Sequence, residues 1–235
     1  MALLDTVSQM DQRVVRNIIS LRTTEDLFDD LSDDPADQLA AIAVEMSVRT
    51  APTGMIERGL CYSQAIDYPF SSDETVASRF GDGTNRVWYG ALDEATARAE
   101  TCWHALRQVE SLATADPVVT RYRAVYVVRA QGLFLDIRAK AAEHPEIVGD
   151  DYSATQGTGK YASKQGYPGL LYPSARWSRG ECLAAFRADP LSEAALSHYL
   201  TYIIDVKARM VSIQRTPGKL DERLHYRQLS HAGTP

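Results

Sequence analysis

The sequence predicts an α+β fold, on three observations. Strand patterning dominates the middle of the chain, helical patterning is concentrated in residues 1–50, and the regular strand–helix alternation of a doubly wound sheet is absent. With 235 residues, 45% of them hydrophobic, the chain can bury one substantial core.

Residues 5–21 carry Val7, Met10, Val14, Ile18 and Leu21 at helical spacing, which predicts a first helix. Thr24 caps a short second helix, and Asp34-Pro35 opens a third that packs Leu39, Ile42, Ala43 and Met46. A helical extension over residues 1–50 is therefore expected ahead of a main domain over residues 51–235. The acidic cluster from Glu25 to Asp37 reads as a solvated face, with a surface for a basic partner as its sharper alternative.

From Pro52 the texture changes to strands and turns. Met55–Ser63 predicts a strand and Asp67–Ser78 a loop. A Gly-rich turn (Gly81, Gly83) leads into a strand over Arg86–Leu92, and Asp93 caps a helix running to about Glu110. Ala95, Ala99, Cys102, Leu106 and Val109 share one face of that helix. Val118–Ala130 alternates as a half-buried strand, and Gln131-Gly132 reads as a hairpin turn into Leu133–Ile137. Residues 139–165 read as short helices and loop. Gly169–Tyr172 and Cys182–Phe186 predict strands around Pro173–Gly180, and Tyr199–Lys207 and Ala208–Gln214 supply further strand. The tail after Thr216 is expected to be ragged.

Several function classes are disfavoured. A net charge of −6 argues against direct nucleic-acid binding through phosphates. No run approaches the ~18 apolar residues of a membrane span, and the N-terminus lacks a secretory pattern, so a cytoplasmic protein is expected. Cys61, Cys102 and Cys182 are widely spaced and the five histidines show no ligand spacing, so neither disulfide framework nor metal site is expected. The run Gly157-Thr158-Gly159-Lys160-Tyr161-Ala162 fits a dinucleotide fingerprint, but the polar stretch before it cannot be the buried strand that fingerprint needs. Its glycines are read as loop. Ser174 lies in Tyr-Pro-Ser-Ala-Arg, outside a nucleophile elbow, and no histidine is placed as its base.

Four residues draw attention as a set. Arg79 has the planar donor fork that grips phosphates, although it is also an ordinary surface arginine near a turn. Tyr89 can stack on a flat ring or fill a core. Glu100 stands off the apolar stripe of its helix, as a solvated residue does. Ser174, between Pro173 and an Arg-Trp pair, is ordinary turn chemistry. Their order is Arg79, ten residues to Tyr89, eleven to Glu100, then Ser174 in Gly-Leu-Leu-Tyr-Pro-Ser-Ala-Arg. Together with Val-Trp-Tyr-Gly-Ala-Leu ahead of Glu100, this order resembles the RES domain, the toxin half of bacterial RES–Xre toxin–antitoxin modules. The resemblance covers roughly Met55 to Phe186, and Arg58 resembles an earlier family arginine.

The resemblance implies an ADP-ribosyltransferase-like fold, with small mixed sheets around a cleft that holds NAD+ as substrate. It implies cleavage of NAD+ at the nicotinamide–ribose bond, with ADP-ribose passed to phosphate or water. Carried over residue by residue, Arg79 would hold phosphates or ribose and Tyr89 would stack on nicotinamide. Glu100 would stabilise positive charge on the ribose, Ser174 would orient the nicotinamide ribose or amide, and Arg58 would assist binding. An Xre-like antitoxin is the implied partner, with no direct nucleic-acid or membrane contact. Two alternatives stay open: mono-ADP-ribosylation of a specific host protein, and an inactive module that only binds an antitoxin.

Overall fold

The computed structural model describes residues 3–20, 63–71, 76–112 and 117–229. Among these residues eight strands form one mixed sheet: β1 (Val7–Ile19), β2 (Trp88–Ala91), β3 (Val118–Asp136), β4 (Gly169–Pro173), β5 (Glu181–Ala185), β6 (Leu191–Asp205), β7 (Met210–Gln214) and β8 (Glu222–His225). Their order is β1-β2-β5-β4-β3-β6-β7-β8, and β1 also pairs with β3. The second pairing closes β1, β2, β5, β4 and β3 into a ring, and β6 to β8 continue from β3 as an antiparallel meander. Only β3–β4 is parallel.

Four α-helices accompany the sheet among the described residues: α1 (Tyr68–Ser71), α2 (Glu94–Ser111), α3 (Ser153–Lys164) and α4 (Tyr226–Leu229). Asp93 begins α2 as the sequence predicts, its carboxylate accepting from the Thr96 backbone N–H at 2.8 Å and the Thr96 hydroxyl at 2.7 Å. The expected apolar face holds: Ala99, Cys102, Leu106 and Val109 are buried, packed with Tyr202, Ile204, Val211 and Ile213 of the meander. Thr96, Ala97 and Trp103 are buried too, so α2 is covered on more than one side. That leaves Glu100 beside a concavity rather than on an open surface.

The α+β class, the strand at Trp88–Ala91, the helix after Asp93 and the strands around Pro173–Gly180 are as the sequence predicts. The strands join in a single sheet instead of several small ones. The helix expected over residues 5–21 is instead strand β1, in continuous register with β3 from Val7↔Leu135 to Ile19↔Arg123. The reason lies in the spacing. Met10, Val14 and Ile18 are four apart, a multiple of two, so they share a face in a strand as readily as in a helix. The β-branched run Val14-Val15 and Ile18-Ile19 and the long pairing with β3 select the strand. The two further helices expected before residue 50, the strand at Met55–Ser63 and Arg58 fall largely or wholly outside the described residues.

Three other expectations are corrected. Gln131-Gly132 makes no hairpin turn; β3 runs through it because β1 pairs straight across, Asp11 with Gln131 and Met10 with Gly132. The glycines of the false fingerprint belong to helix α3 rather than a loop, and residues after Thr216 supply β8 and α4. Gly159 is required by contact, since a Cβ there would lie 2.0 Å from the Phe80 carbonyl oxygen. Helix α3 thereby lies directly against the segment that carries Arg79.

The two helical glycines give opposite predictions. A Cβ on Gly157 meets nothing within 4 Å, so Gly157→Ala should stabilise by about 0.5–1 kcal/mol through helix propensity. Gly159→Ala should cost about 2 kcal/mol by overpacking, lowering the thermal midpoint by ~4–8 °C in a calorimetric or CD melt.

Candidate functional site

A cleft of about 550 Å³ opens between β1, β2 and α2 on one side and the segments Ala77–Arg79 and Asp150–Tyr152 on the other. That volume is in the range of small-molecule sites, roughly 300–1,000 Å³. Arg79, Tyr89 and Glu100 all line it. Three of the four residues that sequence order singled out therefore share one hollow.

Glu100 is half-buried, and one carboxylate oxygen is held by two donors. Its Oε1 accepts from the Ser174 hydroxyl at 2.6 Å and from the Ala175 backbone N–H at 3.0 Å. Ser174 is itself 2% exposed, and its Oγ also accepts from the backbone N–H groups of Arg176 at 3.1 Å and Trp177 at 3.0 Å. One proton donated and two lone pairs occupied use the full capacity of a hydroxyl. Ser174 thus orients the glutamate, a different task from the ligand contact that the resemblance implies for it.

The turn that carries Ser174 is shaped for this contact. The Ser174 N–H donates to the Gly180 carbonyl at 2.7 Å, and Arg179 adopts a left-handed φ of 64°. A Cβ on Gly180 would lie 2.5 Å from the Thr96 hydroxyl, so glycine lets the turn press on the first turn of α2.

Tyr89 sits on β2 with its hydroxyl anchored on the loop before it. Ser78 Oγ lies 2.9 Å away, and the Phe80 N–H donates to the phenol oxygen at 2.9 Å. Burial pushes the phenol up to about 12, so it stays neutral at physiological pH. The Gly-rich turn after Phe80 closes on itself rather than cradling a phosphate: Asp82 Oδ1 accepts from the Thr84 N–H at 2.9 Å, and Asn85 Nδ2 donates to the Phe80 carbonyl at 3.1 Å. Gly83 takes the left-handed φ of 89° that this turn needs. A hydrogen-bonded Lys160 ammonium, with Thr84, holds the Asp82 carboxyl well below the usual carboxylate range.

Arg79 is buried, and its Nη1 donates to the carbonyls of Ile147 and Gly149, both at 2.8 Å. The guanidinium also lies 4.6 Å from the centre of the Tyr152 ring. Arg79 therefore fastens the opposite wall of the cleft while lining it. Arg176, equally buried, stacks 3.5 Å from the centre of the Trp103 ring and pairs with Asp150 on that wall.

The sequence reading passed over Asn17, Trp103, Asp150, Tyr152 and Arg176. A polar Asn17 within Val-Val-Arg-Asn-Ile-Ile, and Trp103 one turn after Glu100, were the available signals. Asp150 and Tyr152 come from a stretch with no readable period. A second cavity, larger at about 620 Å³, is lined by Arg86, Lys160, Lys164 and Arg187 among others. It contains none of the four motif residues, so size does not mark the site here; the converging carboxylate, arginine and tyrosine do.

Residues 56–205 match the RES domain, a stretch that includes Arg58, Arg79, Tyr89, Glu100 and Ser174. No curated protein matches the chain. Among solved structures it is similar to one described as the M. tuberculosis MbcT–MbcA toxin–antitoxin complex, at 14% identity and a TM-score of 0.46, over 83% of this chain and 86% of that one. The match spans well over half of the 235 residues, and the chain belongs to the RES domain family.

Proposed function

We propose that the cleft binds NAD+ and splits its nicotinamide–ribose bond, and that ADP-ribose passes to inorganic phosphate or water. The observation that carries this reading is Glu100: one carboxylate oxygen is pinned by Ser174 and Ala175, in a hollow shared with Arg79 and Tyr89.

The chemistry asks for little more. When the C–N bond breaks, its electron pair leaves with nicotinamide, which departs neutral from a cationic ring. No acid is needed at the leaving group, unlike a glycosidase with its paired carboxylates. Positive charge develops on the ribose, and a fixed carboxylate beside it lowers the barrier without reorganising. The acceptor oxygen then bonds to the anomeric carbon and releases its proton to solvent or to Glu100. Phosphate as acceptor gives ADP-ribose 1″-phosphate; water gives ADP-ribose.

Pinning one oxygen leaves the other to meet the sugar, and it restricts carboxylate rotation that would otherwise be lost on binding. Tyr89 supplies a ring wall against which a flat pyridinium can lie. Arg79 brings a cation to the same cleft, suited to the dinucleotide's phosphates.

The RES family assignment also leads to a biological role: the toxin of a toxin–antitoxin pair, held in check by an Xre-like antitoxin that covers the cleft. Chain acidity supports DNA contact through that partner rather than through this chain.

Nicotinamide release followed by chromatography tests the assignment. Glu100→Gln should lower kcat by about 10²–10³ with the KM for NAD+ within about threefold of wild type. Ser174→Ala, which keeps the Ala175 N–H but frees the carboxylate to swing, should lower kcat by roughly tenfold. Arg79→Ala should chiefly raise KM. Turnover by Glu100→Gln at the wild-type rate would refute the role given to Glu100. Mass analysis of products made with phosphate, without it, and with cell lysate identifies the acceptor; label appearing on a protein band would redirect the reading to protein ADP-ribosylation.

A further inference from the structure

Strand β1 lies outside residues 56–205, yet it supplies Val15 and Asn17 to the wall of the cleft. Asn17 is 7% exposed and its amide is committed on both sides. Nδ2 donates to Thr101 Oγ1 at 3.1 Å and to the Tyr202 hydroxyl at 2.8 Å. Oδ1 accepts from Arg123 Nε at 3.0 Å, and the Asn17 backbone carbonyl accepts from Arg123 Nη2 at 2.7 Å. A guanidinium has only donors, so Arg123 decides which end of the amide faces it. The two amide hydrogens are thereby aimed at the hydroxyls of Thr101 and Tyr202.

Thr101 is the residue after Glu100 on α2. We infer that Asn17 is a positioning residue for Glu100: through Thr101 it sets the rotation of α2 about its own axis, and so where the free carboxylate oxygen stands in the cleft. Apolar packing alone sets that rotation loosely, because burial is non-directional. An amide fork locked by an arginine is directional. Side-chain ends stand about 5–6 Å from a helix axis, so a rotation of roughly 10° carries a carboxylate about 1 Å. A misplacement of about 1 Å is worth on the order of 10² in rate. The competing account is that Asn17 only satisfies the buried Arg123 and stabilises the fold.

The activity readout rests on the NAD+ reading, so the test carries a second one that does not. Asn17→Ala, Thr101→Val and the double variant are compared in the full chain for kcat, for the KM for NAD+, and for amide hydrogen exchange at Ala175, whose N–H donates to Glu100. Each single variant should lower kcat by about 10- to 30-fold with KM within about threefold. The double variant should fall no more than about twofold below the worse single one, since both cut the same link. Exchange at Ala175 should quicken by about tenfold in Asn17→Ala, as the carboxylate that accepts its proton drifts. If Asn17→Ala lowers only the thermal midpoint, with kcat per folded molecule and Ala175 exchange unchanged, the inference is overturned. Should Asn17→Ala fail to fold, Thr101→Val, which leaves the Arg123–Asn17 bonds intact, decides by the same two readouts. Wild-type protein that releases no nicotinamide would defeat the NAD+ reading instead, and Ala175 exchange would then judge the role of Asn17 alone.

Discussion

The contact between Ser174 and Glu100, two residues 74 apart in sequence, governs the geometry of the site. A half-buried carboxylate loses hydration, and that loss is offset only where donors replace the water. Here the donors are a buried hydroxyl with no spare capacity and a backbone N–H, so the replacement is rigid. Rigidity of this kind demands that the Ser174–Gly180 turn and helix α2 keep one relative position. The Gly180 approach to Thr96 and the Asp93 cap on Thr96 are the local devices that hold it. Charge, turn and helix cap form one mechanical unit.

That unit is suspended inside a ring of strands. Because β1 pairs with both β2 and β3, the sheet closes on the side of the cleft, and β1 has no open edge there. Closure also buries Arg16, Asn17 and Arg123 close together. Arg16 is pulled down to about 9, first by burial and then by the neighbouring Arg123 charge. In such surroundings hydrogen bonds are stronger than in water, and unmet ones more damaging. The wall of the cleft is therefore stiff where it meets α2.

How much of this was legible in the sequence depends on the range of the interaction that decides each feature. Local decisions were readable: Asp93 as a cap, the apolar face of α2, the alternation of β3 and the turn at Gly81 and Gly83. Of the four residues that their order marks as a set, Arg79, Tyr89 and Glu100 share one cleft. What escaped was non-local. Residues 5–21 read as helix because a four-residue spacing satisfies both periods, and only the partner strand β3 resolves the choice. Gln131-Gly132 read as a turn for the same reason, the pairing that overrides it lying some 120 residues away. Ser174 was singled out, but its hydrogen bond to Glu100 was not legible, because the saturation of a hydroxyl is a property of its three-dimensional neighbours.

Arg79 shows how one residue can fasten a wall and keep its charge at the cleft it lines. A buried guanidinium usually finds a carboxylate, yet Arg79 forms no ion pair among the described residues. Its Nη1 is met by two backbone carbonyls, which satisfy the donor while leaving the positive charge unneutralised. A carboxylate in that place would cancel the positive field in the cleft; carbonyl dipoles fasten the wall and leave most of it intact. The neighbouring Arg176 takes the other course, pairing with Asp150 and stacking on Trp103, so its charge is spent on the scaffold. Two buried arginines therefore hold the same wall by different chemistry, and only Arg79 keeps a net charge turned over to the cleft. Arg79 and Arg107 thus share the cleft with Glu100, so positive charge and a fixed carboxylate line one hollow.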